Sequence, residues 1–311
     1  MKKFKTFKKE NLTIADGQDL FEKDLDNRDL RKATKEHYKW QFNSFYRFAN
    51  YKEPITTINK EFIEDYIKHL QERKLSPRTV ETNTKGIMVF CKFLMKENYI
   101  EPFTVKIPRS RVIPKDMYSQ EEILILLKKP KGEYIFSELM TWCAINCLAL
   151  TGMRSATLCN MKIKDIDFDN KTIYYRHTKN KQKHLVPLPT ELEKVLKTYL
   201  GVRVLDDTTE EDNFIVNAYG NPITSNNLYK YVAKYNKERG VKSVGLHSFR
   251  RFYIKSLVQQ GVTIIKIQHL VQHSSPSLVA LYSKMYSEDL VKDVETFSDN
   301  LLNKNRKKKR F

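Results

Sequence analysis

A helical hydrophobic period runs through most of this chain and gives way to alternation in one stretch, Asp165–Pro189. Asp165–Tyr175 and His184–Pro189 alternate or run β-branched, and Asp169-Asn170 supplies a turn between the first two strands. The pattern predicts a mainly α fold with one small antiparallel β-sheet. Ahead of it, a short helix is expected around Gln18–Leu25. A second, Thr34–Asn50, places Tyr38, Phe42, Phe45 and Ala49 on one face. A third follows Asn59 as cap, and a fourth opens with Ser76-Pro77, a cap with proline at the first helical position. Glu133–Leu150 is apolar nearly all round and is expected to be a buried helix. Beyond the sheet, helices are expected at Thr190–Leu200, Asn226–Glu238, His247–Gln260, Ile264–Gln272, Pro276–Met285 and Glu288–Leu302.

With 311 residues, two domains are expected. Pro102–Pro114 carries three prolines and three basic residues without a helical period, which reads as a linker. The expected division is therefore a basic segment over 1–15, a helical unit over 16–101, a basic linker over 102–116, a larger α+β domain over 117–287, and a C-terminal helix with a basic tail over 288–311. Nine glycines and ten prolines are too few for a collagen-like or linker-dominated chain. No apolar run reaches the roughly 18–20 residues that span a bilayer, and the basic N-terminus is followed by no apolar stretch of the kind that directs secretion. Cys91, Cys143, Cys147 and Cys159 show neither zinc spacing nor a disulfide framework, so the expected setting is a reducing cytoplasm.

Lysine and arginine total 56 against 37 aspartate and glutamate, a formal charge of +19. The excess is +7 in residues 1–110 and +12 in residues 111–311. No helix is cleanly basic on one face and bulky-apolar on the other, which disfavours a membrane surface. Nucleic acid is the leading partner. Two basic domains joined by a basic linker suggest a clamp around it.

Several short motifs could carry chemistry. Asp165, Asp167 and Asp169 open like a calcium loop, but Asn170 stands where glycine is needed and Arg176 where a bidentate glutamate is needed, so the triad reads as a polar hairpin turn. His247 and Arg250 lie one turn apart at the start of a helix, where they could face one phosphate together with the first backbone amides. Arg154 emerges directly after a buried helix that ends at Gly152, and needs a counter-charge or a ligand. Lys179, Lys181 and Lys183 form a basic tip between two strands. His273 precedes a helix opened by Ser275-Pro276, and Tyr282 lies on that helix. Two arginines, two histidines, a lysine and a tyrosine, without clustered carboxylates, suit a metal-free site that stabilises a phosphoryl transition state with cations and donors. The tyrosine would be the nucleophile.

The order TGMR at 151–154, TKNKQKHLVPLP at 178–189, LHSFR at 246–250 and VQHSSPSLVALY at 271–282 resembles the tyrosine recombinase (phage integrase) family across the whole second domain. The helical first unit and basic linker resemble that family's SAM-like core-binding domain. The resemblance implies a site-specific DNA recombinase working without metal, cofactor or ATP on double-stranded DNA, as a homotetramer on two DNA sites. It implies that Arg154 and Arg250 hold the non-bridging phosphate oxygens and that His247 positions the phosphate and assists proton transfer. It further implies that His273 donates a hydrogen bond, that Lys179 protonates the leaving 5′ oxygen, and that Tyr282 forms the 3′-phosphotyrosine. Lys181 and Lys183 are rivals to Lys179, and Tyr286 to Tyr282. A topoisomerase-like relaxing enzyme and an inactive DNA-binding protein are the alternatives. Two positions depart from the family pattern: Thr157 replaces an acid that normally buttresses the cations, and Gln272 replaces a glycine.

Overall fold

A reciprocal cap starts the first helix earlier than its apolar spacing predicts. The computed structural model describes residues 12–28, 30, 32–110, 116–176, 184–203 and 208–271. In it, Thr13 Oγ1 accepts from the Asp16 amide at 3.2 Å, and Asp16 Oδ2 accepts from the Thr13 amide at 2.8 Å. This capping box opens α1 at Ile14 and the helix runs to Asn27, beyond both ends of the expected Gln18–Leu25. The second helix, α2 (Lys32–Phe45), stops short of the expected Asn50. There the backbone tightens, with the Phe48 amide bonding the Phe45 carbonyl at 2.9 Å, a three-residue step that ends the α-helical ladder. The helices α3 (Lys60–Glu72) and α4 (Pro77–Lys96) begin where Asn59 and Ser76 were expected to cap them, each side chain accepting from the amide three residues on.

The chain divides into two compact units, residues 1–114 and 115–311. The first is built on interlocked rings: Phe42 meets Phe90 and Phe45 meets Tyr66 edge-to-face, each with centroids 5.0 Å apart. Gly86 on α4 leaves room for the Gln41 side chain of α2, whose Oε1 would lie 1.9 Å from a Cβ there. Phe103, Val105 and Ile107 pack against this core, and Ser110 donates its amide (3.1 Å) and hydroxyl to Glu81. Lys85 first, then Ser110, hold the Glu81 carboxyl down at about 2.

In the second unit α5 (Gln120–Leu127) opens with a Ser119–Glu122 capping box. The next helix, α6 (Phe136–Thr151), is the central post: residues Leu139 to Ala149 are all buried along it. A short helix that the spacing did not announce, α7 (Ser155–Cys159), follows after three residues. The sheet is antiparallel in the order β1 (Ile166–Asp167), β2 (Thr172–Tyr175), β3 (His184–Pro187), with Ile166 opposite Ile173 and Tyr175 opposite His184. Helices α8 (Thr190–Arg203), α9 (Ser225–Glu238), α10 (His247–Gln259) and α11 (Ile264–Val271) complete the described part. The mainly α fold with a three-stranded antiparallel sheet agrees with the sequence pattern. The expected helices Pro276–Met285 and Glu288–Leu302 lie outside the described residues.

All four cysteines are free and buried. Burial pushes Cys91 up to about 12 and Cys143 well above its ordinary value, so these thiols are packing groups. Among the described residues no helix is long and apolar enough to cross a membrane. Among the same residues, no group of three His, Cys, Asp or Glu could hold a metal ion.

Candidate active site

The end of α6 fixes the first motif. Gly152 takes a left-handed conformation (φ 62°) and its amide bonds Leu148 O at 3.1 Å. Thr151 Oγ1 donates to Cys147 O at 2.7 Å and accepts from the Met153 amide at 3.2 Å, so the turn is tied on both sides. Glycine is needed twice here, for the positive φ and because a Cβ would lie 2.4 Å from the Tyr253 ring. Gly152→Ala is expected to destabilise the chain by about 2 kcal/mol or more, left-handed strain and overpacking adding. Urea unfolding measures it, and a change under about 0.5 kcal/mol, the scale of an ordinary surface substitution, would contradict this account of the turn.

Arg154 leaves this turn as the residue capping α7, half-buried. Partial burial lowers its pKa from the ordinary arginine value, yet a guanidinium stays cationic at neutral pH. Thr157, one turn further on, is buried at 7% exposure.

Arg250 joins three of the motif segments. It is on the first turn of α10 and only 2% exposed. Its Nη1 donates to Gly152 O at 2.6 Å, two residues before Arg154. Its Nη2 donates to Val271 O, the last residue of α11 and two before His273. The carbonyl oxygens offset part of the burial of this charge. His247 starts the same helix and is exposed, while Ser248 behind it bonds Gly245 O through its amide at 3.1 Å. So the His247–Arg250 pair has one member at the surface and one built into the scaffold.

The hairpin root lies against this cluster. Tyr175, the last residue of β2, is buried, and its phenol is pushed far up by burial in an environment that includes Thr151 and Arg250. At the start of β3, His184 stacks on His269 of α11 with centroids 5.8 Å apart. Burial, with the His269 ring adding, lowers the His184 pKa against a main-chain bond to His269 that raises it. The unfolded chain therefore takes up this proton first, and stability is lost as pH falls below about 6.5, the ordinary histidine value. Melting curves at pH 7.5 and 5.5 should show a smaller acid loss in His184→Asn than in wild type. An equal loss would remove His184 from the acid response.

The hairpin-turn reading of the aspartate triad needs a correction at Asp165. Asp167 does close the turn, accepting from the Asn170 amide at 2.8 Å. Asp165 instead is 2% exposed, accepts from the Lys162 amide at 2.8 Å, and pairs with Arg176 Nε just beyond β2. The alternation that identified the strands carries no sign of this pair, because it joins a short 3₁₀ turn at Ile163–Asp165 to a residue eleven positions on. Lys179, His273 and Tyr282 lie outside the described residues, as do Lys181, Lys183, Gln272 and Tyr286.

The model of the phage integrase family matches residues 118–288, more than half of the chain. The model of the phage integrase N-terminal SAM-like domain matches residues 19–101. Tyrosine recombinase XerC of Listeria innocua is 26% identical over 274 residues, covering 85% of this chain and 90% of that protein. Tyrosine recombinase XerC of Bacillus subtilis is 27% identical over 238 residues, covering 72% and 76%. A crystal structure of a lambda integrase tetramer bound to a Holliday junction matches with a TM-score of 0.70 at 17% identity, covering 88% of this chain and 78% of that one.

Proposed function

The chain belongs to the phage integrase family, and we propose that it is a site-specific tyrosine recombinase that cuts and rejoins double-stranded DNA through a covalent 3′-phosphotyrosine. The observation that carries this reading is Arg250. One buried guanidinium ties the segment that presents Arg154 to the segment that leads into His273, while His247 stands exposed one turn before it. Such a gathering of cations and donors suits a pentavalent phosphorane.

In the reaction, Tyr282 Oη attacks the scissile phosphorus and the P–O5′ bond breaks. Arg154 and Arg250 bind the non-bridging oxygens. His247 accepts the phenol proton, His273 donates to the phosphate, and Lys179 gives a proton to O5′. A 5′-hydroxyl from the partner strand then attacks the phosphotyrosine, and the same groups act in reverse. One phosphodiester replaces another, so no ATP is consumed, and the arginines carry the charge a metal would otherwise supply.

Residues 16–101 serve as the core-binding domain and 117–287 as the catalytic domain, with 102–116 between them and 288–311 as a C-terminal segment. The working form is a homotetramer on two DNA sites in the cytoplasm. The named relatives are recombinases, which favours strand exchange over simple relaxation. The test is capture of a covalent adduct: a duplex library nicked near its cleavage points is incubated with the protein, denatured, and the DNA left on protein is sequenced. The expected result is one recurring site joined to Tyr282. No adduct from any library would overturn the proposal. The recovered sequence also separates integration or excision of a mobile element from resolution of DNA dimers.

A further inference from the structure

An ion pair stands at the root of the hairpin that carries Lys179, and the proposed reaction gives it no role. Asp165 has a side chain 1% exposed; one oxygen takes the Lys162 amide at 2.8 Å and the other takes Arg176 Nε. Arg176 follows Tyr175, which forms the last ladder pair with His184. Its guanidinium also lies 5.5 Å from the centre of the Tyr174 ring, so it is held from two sides. Buried ion pairs contribute little net stability, because desolvation offsets the attraction. Fixing the location of a backbone is a better account of one placed here.

We propose that Asp165, acting through Arg176, is a positioning residue that sets where Lys179 meets the leaving 5′ oxygen. This rests on the reading of Lys179 as the general acid. Lys179 is three residues beyond Arg176, so its Cα lies within about 10 Å of that anchor. With the pair broken, Tyr175 in the ladder is the nearest anchor before Lys179, four residues away, and the aim of the ammonium is loosened. A misplacement near 1 Å in a reacting group slows chemistry by up to about a hundredfold.

The step concerned is transfer of a proton from the Lys179 ammonium to O5′ as the P–O5′ bond breaks. A 5′-bridging phosphorothiolate removes the need for it: the leaving group is a thiolate, whose conjugate acid has a pKa of about 8.5, and it departs without a proton. The experiment measures single-turnover cleavage by the full chain of two duplexes bearing the recovered site, one with oxygen and one with sulfur at the bridging position. Asp165→Asn and Arg176→Gln are each expected to cleave the oxygen duplex about tenfold or more slowly than wild type, and the sulfur duplex within about threefold of it. Lys179→Ala should share that rescue, and Arg154→Ala should be slow on both. Arg176→Gln carries the test if Asp165→Asn does not fold, since the Arg176 side chain is 38% exposed. If Lys179→Ala is rescued and the pair variants are equally slow on both duplexes, the positioning role is wrong while the general acid stands. If no hairpin lysine variant, at 179, 181 or 183, is rescued by sulfur, the general-acid reading is wrong and the positioning role falls with it.

Discussion

Tyr282→Phe is expected to trap no covalent DNA where wild type traps a recurring site, a loss beyond the assay's range. The expectation follows from the electron count. Without a phenolic oxygen nothing at that position can form the P–O bond that stores the phosphodiester's energy. Binding should persist, because affinity for a duplex is distributed over many phosphate contacts and the chain has 56 basic residues to supply them. Tyr286→Phe is the paired variant, four residues away in sequence, and should trap as wild type does. The reverse outcome would transfer the nucleophile to Tyr286 and leave the rest of the mechanism in place. Five of the described tyrosines are poor alternatives: burial raises Tyr46, Tyr66 and Tyr235 to about 12, and Tyr175 and Tyr199 further still. Such phenols are core groups that stay protonated.

What the sequence disclosed about this molecule depended on how local the cause was. Caps are local, and Asn59 and Ser76 each begin a helix where expected. The α6 post is equally legible, because a helix buried on every side has no polar stripe. The end of α2 was not, since Tyr46, Phe48 and Ala49 continue an apolar face while the backbone tightens into three-residue steps. The short α7 is set by the bonds around Gly152 and leaves no periodic trace in five residues. At the site, the arginine and histidine positions came from motif order. That Arg250 braces two carbonyls, and that Asp165 pairs with Arg176, are contacts across 98, 21 and 11 residues, which no local pattern encodes.

That difference in surroundings separates the two arginines by experiment. Arg154→Ala is expected to slow strand cleavage about a hundred- to a thousandfold, the usual effect of removing one donor to a developing oxyanion, with melting temperature and DNA affinity nearly unchanged. Arg154 is only half-buried, and it is one cation among 56. Arg250→Ala should lose at least as much activity and also fold less stably. It leaves Gly152 O and Val271 O without their donors, at about 1–3 kcal/mol for each buried group, and opens a cavity where a 2% exposed side chain stood. For a unit of this size each kcal/mol lowers the melting temperature by about 2–4 °C, so a fall of several degrees is expected. Arg250→Lys should recover part of the charge and little of the bracing, because an ammonium cannot span two carbonyls in the plane of a guanidinium fork. The pair is checked by melting curves, duplex binding and single-turnover cleavage on one set of variants. Loss of DNA binding in Arg154→Ala would make that residue a docking contact in place of a phosphate clamp. An Arg250→Ala protein as stable as wild type would show that the two carbonyls find other donors, and would leave the assembly of the three motifs to be explained by the packing of α6, α10 and α11 alone.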